Sequence, residues 1–254
     1  MTENILSRLG PIDILENAQK VCTTWRSVCC EPSMWRVVDM KYSDIADYER
    51  LGFLNFLSVG VICRRAVDLS QGELIDISID GFGTDDLMHY ISERISQNWK
   101  SLHLFFMSRI NAEHVEGISA SCPKLKSFTF NRRNYRFELL KIDDSCALTI
   151  SRNMPNLQHL CLMGNQMNNE GLKAILNGCP NLESLDISKC YGVDLQGDFG
   201  KICSERIKSL KRLFDSYDRV DNDWDDLIYD HEDYGYDSSD YENYDEYDPF
   251  LYFI

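Results

Sequence analysis

From residue 74 to residue 214 the apolar positions follow a recurring phrase. Leu182, Leu185 and Ile187 are spaced three and two residues apart. Leu157, Leu160 and Leu162 repeat that spacing, as do Leu125, Phe128 and Phe130. The last two of each trio point the same way on a short strand, because strand side chains alternate with period two. Each trio gives way to a helical spacing. Leu172, Ile175 and Leu176 fall at i, i+3 and i+4, which is one face of a helix. Asn168 is placed to cap the start of that helix and Gly178 its end. Gly83–Ile91 and Asn111–Ile118 predict helices of the same kind. The unit is therefore strand, turn, helix. A single unit cannot cover its own apolar face, so units stack, giving a parallel sheet on the inner side and helices outside.

The anchors that open the trios are Leu74, Trp99, Leu125, Leu157, Leu182 and Ile207. Most lie 25 or 26 residues apart, whereas Leu125 and Leu157 are 32 apart. A period in the twenties with an L-x-x-L-x-L core is the signature of a leucine-rich repeat. The fold class predicted is α/β, a short solenoid of parallel concave strands and convex helices. The long step places extra residues around Asn131-Arg132-Arg133-Asn134-Tyr135-Arg136-Phe137, and insertions in solenoids become rim loops that carry binding.

Outside the repeats the texture changes. Residues 1 to 40 predict three helices, Thr2 to Leu9, Ile12 to Val21 and Thr23 to Cys29, punctuated by Pro11 and Pro32. Residues 41 to 73 predict a linker and a helix over Phe53 to Val67, completing a capping unit whose strand is Trp35 to Met40. The charge is equally uneven. The net formal charge is −15, yet residues 1 to 214 hold 25 Lys+Arg against 26 Asp+Glu. Residues 215 to 254 carry the remaining acids together with eight of the thirteen tyrosines, a composition that predicts a disordered tail. A nearly neutral body argues against nucleic acid as partner. No apolar run reaches 18 residues, so no membrane span is expected, and no secretory signal is apparent at the start. The ten cysteines are scattered and read as reduced core thiols.

Catalytic patterns are not found. The five histidines form no H-E-x-x-H motif and the cysteines no C-x-x-C pair. Gly81-Phe82-Gly83 reads as a turn. In the tail, Asp221, Asp223, Asp225 and Glu232 match calcium-loop positions, but Asp226 stands where a glycine is needed for the sharp turn. No cofactor or metal site is expected, and the chain reads as a non-enzyme.

The N-terminal block resembles an F-box. The residues carrying the likeness are Ile5-Leu6-Ser7-Arg8-Leu9, Val21-Cys22-Thr23-Thr24-Trp25-Arg26 and Pro32-Ser33-Met34-Trp35-Arg36-Val37-Val38-Asp39, in the expected order. With cysteine-type repeats behind it, and an Arg64-Arg65-Ala66-Val67-Asp68-Leu69-Ser70-Gln71-Gly72 stretch, the chain resembles plant F-box/LRR-repeat proteins over roughly residues 2 to 214. The family's leading Leu-Pro pair has no counterpart, so an N-terminally shortened F-box is implied. The resemblance implies a substrate receptor of an SCF (cullin-RING) ubiquitin ligase, in the cytoplasm or nucleus. Ile5, Leu6, Leu9, Pro11, Ile14, Leu15, Val21, Cys22 and Trp25 would meet a Skp-type adaptor, and through it a cullin, or support that contact. The alternative is a non-catalytic binding scaffold with a vestigial F-box. The target-binding candidates are His103, Thr129, Cys161 and Asp186 between the strand leucines, with Arg132, Arg133 and Tyr135 on the insertion. The target itself is not named by the sequence.

Overall fold

A computed structural model describes residues 2–41, 45, 56–94, 99–107, 110–132 and 142–212. The chain divides into two units, 1–214 and 215–254, and every described residue lies in the first. The acidic tail with its near-match to a calcium loop, and Arg133 and Tyr135 of the insertion, lie outside the described residues.

Three short helices come first: α1 (Thr2–Leu6), α2 (Pro11–Glu16) and α3 (Thr23–Cys29). Then strand and helix alternate: β1 (Val37–Met40), α4 (Phe56–Leu69), β2 (Asp76–Asp80), α5 (Asp85–Arg94), β3 (Ser101–Phe105), α6 (Ala112–Ser121) and β4 (Ser127–Phe130). The series continues with α7 (Ser145–Asn153), β5 (His159–Cys161), α8 (Asn169–Gly178), β6 (Ser184–Asp186), α9 (Gly197–Arg206) and β7 (Ser209–Lys211). The seven strands form one parallel sheet in the order β1 to β7. This is the leucine-rich-repeat solenoid that the apolar phrase predicts.

The packing explains the phrase. The six anchors, Leu74 to Ile207, are each at most 3% exposed, as are the inward strand residues Ile77, Leu102, Phe128, Leu160 and Leu185. Burying one such side chain contributes about 1.5–3 kcal/mol, so their recurrence at every turn holds the stack together. The backbone just ahead of each strand adds a relay of hydrogen bonds. The amides of Lys100, Lys126, Gln158 and Glu183 donate to the carbonyls of Ile75, Lys100, Lys126 and Gln158 at 2.8–2.9 Å. The relay crosses the 32-residue step unbroken, so β4 and β5 pair in register despite the insertion.

Two repeat turns carry a buried polar rung that the strand phrase alone does not mark. Asn165 Nδ2 donates to the carbonyls of Phe130 and Leu162, and Cys190 Sγ donates to that of Leu162 at 3.0 Å. Asn165 and Cys190 are 25 residues apart and close equivalent turns. The corresponding positions of earlier repeats, Phe82 and Met107, are buried and apolar. All ten cysteines are free and seven are buried. Burial pushes the thiols of Cys63, Cys122 and Cys190 up to about 12. Thiols held so far above neutrality are not nucleophiles.

Three predicted details change. The Thr2 to Leu9 helix stops at Leu6, because Gly10-Pro11 follows and the residue before a proline is pushed out of helical geometry. The Ile12 to Val21 helix breaks at Asn17 (φ −125°, ψ −62°) into α2 and a 3₁₀ turn, Ala18–Lys20. Asn17 Nδ2 donates to Asp13 Oδ1, and asparagine favours such local bonds over a helix interior. Gly178 is the last residue of α8 rather than a left-handed cap. A Cβ there would lie 2.0 Å from the carbonyl oxygen of Ser151, so glycine is required by the close approach of α7.

The R-x-A-V-D-x-S-Q-G stretch also resolves into structure. Ala66 and Val67 of α4 and Ser70 just after it are buried, and Gln71 (φ 48°) and Gly72 (φ 82°) follow the helix in left-handed geometry. Arg64 and Arg94 flank the Tyr90 ring at 4.7 and 3.5 Å, while the Tyr90 hydroxyl donates to Asp68 at 2.7 Å. The stretch ends one helix and clasps it to the next.

Candidate functional site

The helical block has two sides. Leu6, Pro11, Ile14 and Leu15 are buried, and Leu15 is only 1% exposed. α2 packs on β1 and α4, and Leu6, Ile14 and Leu15 belong to the same core as Val38, Met40 and Val59. Trp35 seals the join, with its indole Nε1 donating to the carbonyl of Cys29 at 2.7 Å. Ile5, Leu9 and Val21 face out instead, at 57%, 38% and 62% exposure. Cys22 is also exposed, and its sulfur caps α3 by accepting from the amide of Trp25 at 3.5 Å. Trp25 is half-buried against the core. The nine sequence candidates therefore split into a buried foundation and an exposed apolar group. Leaving three large aliphatic side chains in water on so small a block forgoes several kcal/mol of burial unless a partner covers them.

The second surface is the open face of the sheet, away from the helices. Parallel pairing lines up Asp39, Ser78, His103, Thr129, Cys161, Asp186 and Lys211 in one row across all seven strands. The four strand candidates thus share a single row, as their spacing predicts. Two residues earlier on each strand runs a second row: Val37, Asp76, Ser101, Ser127, His159, Ser184 and Ser209. The face is dominated by short polar side chains, with Val37 exposed at its β1 edge.

Within the rows the polar groups are organised. His103 Nδ1 shares a hydrogen bond with the Thr129 hydroxyl at 2.8 Å, and His103 Nε2 lies 3.8 Å from Asp76 Oδ1. Thr129 is only 8% exposed, so it fixes the imidazole more than it offers a contact. Lys211 pairs with Asp186 at 3.2 Å, and Asp186 also accepts the amide of Ser188. Cys161 Sγ donates to Asn131 Oδ1 at 3.1 Å, and that same oxygen accepts the amide of Met163. Asp76 stands out. Half-burial raises its carboxyl above the usual range, and nearby Asp39 adds to the rise, while His103 and a hydrogen bond from Ser101 offset part of it.

Arg132 sits differently from its expected place on an open loop. Its Nη2 donates to the carbonyl of Ile110 at 3.0 Å and its guanidinium lies 5.6 Å from the Phe130 ring centroid. It ties the start of the insertion to the neighbouring turn. Sequence reasoning missed Asp39, Asp76 and Ser78. Carrying the period-two alternation from the later repeats back into β1 and β2 would have found them. Among the described residues no group of three or more His, Cys, Asp or Glu could hold a metal ion, and no helix is long and apolar enough to cross a membrane.

Among the described residues, a helical block adjoins a leucine-rich-repeat sheet, and the two present separate surfaces. An F-box-like family model matches residues 2–41 and a leucine-rich-repeat model matches residues 153–176. F-box protein SKIP19 of Arabidopsis thaliana is 39% identical over 245 residues, covering 87% of this chain and 77% of SKIP19. Putative F-box/LRR-repeat protein 21 of the same plant is 37% identical, covering 85% of this chain and 80% of its own length. Putative F-box/LRR-repeat protein 23 is 41% identical, but this chain spans only 53% of it. The chain belongs to the plant F-box/LRR-repeat family.

Proposed function

We propose that this chain is the substrate-recognition subunit of an SCF ubiquitin ligase. The helical block docks on a Skp-type adaptor and through it a cullin, and the open face of the repeats holds a target protein. The observation that carries this reading is the division of the block matched by the F-box-like model. Ile5, Leu9 and Val21 are exposed, whereas Ile14 and Leu15 of α2 are sealed onto the first repeat. The role is positional: a bound target gains a high effective concentration beside a ubiquitin-charged enzyme. The chain itself does no bond chemistry, and the reading places it in the cytoplasm or nucleus. Affinity purification of the full chain from plant extract tests this, with and without proteasome inhibition. Adaptor and cullin are expected in both samples, with target proteins enriched on inhibition. Recovery of neither adaptor nor cullin would defeat the reading.

A further inference from the structure

Resting on the receptor reading, we propose that the centre of the open face, over β3 to β5, receives an uncharged segment of the target. That segment seats an aromatic side chain against Phe105 and a backbone carbonyl on the side-chain amide of Asn131. The amide carries the argument. Asn131 follows β4 directly and is only 5% exposed. Its Oδ1 is filled twice, by the thiol of Cys161 at 3.1 Å and by the amide of Met163 at 3.2 Å. A backbone amide can only donate, so that atom is the oxygen and the NH₂ group is the other end. Among the described residues nothing accepts from that Nδ2. Asn165 is the contrast: equally buried at 5%, it gives its Nδ2 to two carbonyls. A donor held this deep without an acceptor costs free energy, which an incoming carbonyl recovers.

The surroundings set the class of occupant. By strand alternation Asn131 shares the open face with Thr129, and its partner Cys161 stands in the open row. The backbone ladder runs one residue past the strands. The Asn131 amide donates to the Leu104 carbonyl and the Arg132 amide to that of Met163, at 2.9 Å each. Asn131 is thereby flanked by Phe105 on one side and Met163 on the other, and both are half-buried. The Phe105 ring stacks on His103 with centroids 6.1 Å apart and planes 13° apart, and Thr129 fixes that imidazole in turn. A positioned ring and a thioether make a soft apolar wall. Phe105, Asn131, Thr129, Cys161 and Met163 carry no formal charge, whereas Asp39 and Asp76 lie on β1 and β2 and Asp186 on β6. A charged side chain seated among these five residues would lose its hydration and gain no counter-charge from them, so the fit is to an uncharged segment.

The test uses the full chain and two labelled synthetic dodecapeptides, (Gly-Ser-Phe)₄ and (Gly-Ser-Gly)₄, followed by fluorescence anisotropy at physiological salt. The phenylalanine peptide is expected to bind more tightly. Phe105→Ser removes the ring. Asn131→Asp keeps an oxygen for the Met163 amide and replaces the donor by an acceptor. Each variant is expected to lose about five- to tenfold in affinity for the phenylalanine peptide. Ile5, Leu9 and Val21 offer a second exposed apolar surface, so Ile5→Asp/Val21→Asp is the control, expected to bind the peptide as the wild-type chain does. Equal binding of the two peptides, full affinity in either folded face variant, or a loss confined to the control would overturn the inference. Thermal melts report folding. Should Asn131→Asp not fold, the half-exposed Phe105 position decides the outcome. Adaptor binding of the same protein is scored in parallel: if it persists while the peptide result fails, only the target-class inference falls. If the wild-type chain binds no adaptor, the receptor reading falls on its own.

Discussion

At the scale of single residues, two kinds of position carry opposite signs of stability. Asp76 is half-buried with its carboxyl raised above the ordinary range, chiefly by burial and further by Asp39. A raised carboxyl contributes its full stability only when protonated, and that contribution is lost as pH rises through the folded value. Asp76→Asn therefore stabilises the protein, and the gain in Tm grows between about pH 3.5 and pH 7, spanning the ordinary carboxylate value of about 4. Melting curves across that range check it, and a gain that shrinks with pH would contradict the assignment. Glycine offers a second contrast. At Gly178 a Cβ would collide with the Ser151 carbonyl, whereas at Gly117, inside α6, nothing lies within 4 Å. Gly117→Ala is expected to stabilise by about 0.5–1 kcal/mol through helix propensity. Gly178→Ala is expected to destabilise, although it too sits in a helix. Urea denaturation of the pair measures both signs.

At the scale of elements, the helical block and the first repeat share one core. α2 packs on β1 and α4, and Leu15 lies within the cluster that contains Val38 and Val59. Leu15→Ala is expected to cost roughly 2–5 kcal/mol and to shift a single unfolding transition of the whole unit. Two separate transitions, with the repeat transition unmoved, would show that the block is an independent appendage.

Much of this was legible beforehand. The Leu-x-x-Leu-x-Leu spacing placed the anchors, and period-two alternation placed His103, Thr129, Cys161 and Asp186 on one face. The strand over Val37–Met40 was readable because Trp35, Val38 and Met40 repeat the apolar phrase. Other features depend on contacts between distant residues. The break at Asn17 reflects a local side-chain bond competing with the helix, and the rungs at Asn165 and Cys190 exist only once two repeats stack. Arg132 was read as an open loop residue because its partner, the Ile110 carbonyl, is 22 residues away. The split of the nine block candidates into buried and exposed could not be read from a pattern of short helices. It depends on which side the repeats cover.

At the scale of the whole molecule, the proposed receptor has two working surfaces on a common frame. The apolar group of Ile5, Leu9 and Val21 is one, and the polar rows of the sheet are the other. Because the frame is shared, a partner gripped at the block holds the sheet at a fixed position, which is what proximity-driven transfer needs. Substitutions of Ile5 and Val21, each more than half exposed, should cost adaptor affinity with little cost in stability. The most direct measurement is calorimetric titration of a purified Skp-type adaptor into the full chain and into Ile5→Asp/Val21→Asp. The account predicts binding by the wild-type chain and a loss of about a hundredfold in the double variant, or about 2.7 kcal/mol, at unchanged Tm. Equal affinity in the two proteins, or no binding by the wild-type chain, would contradict it.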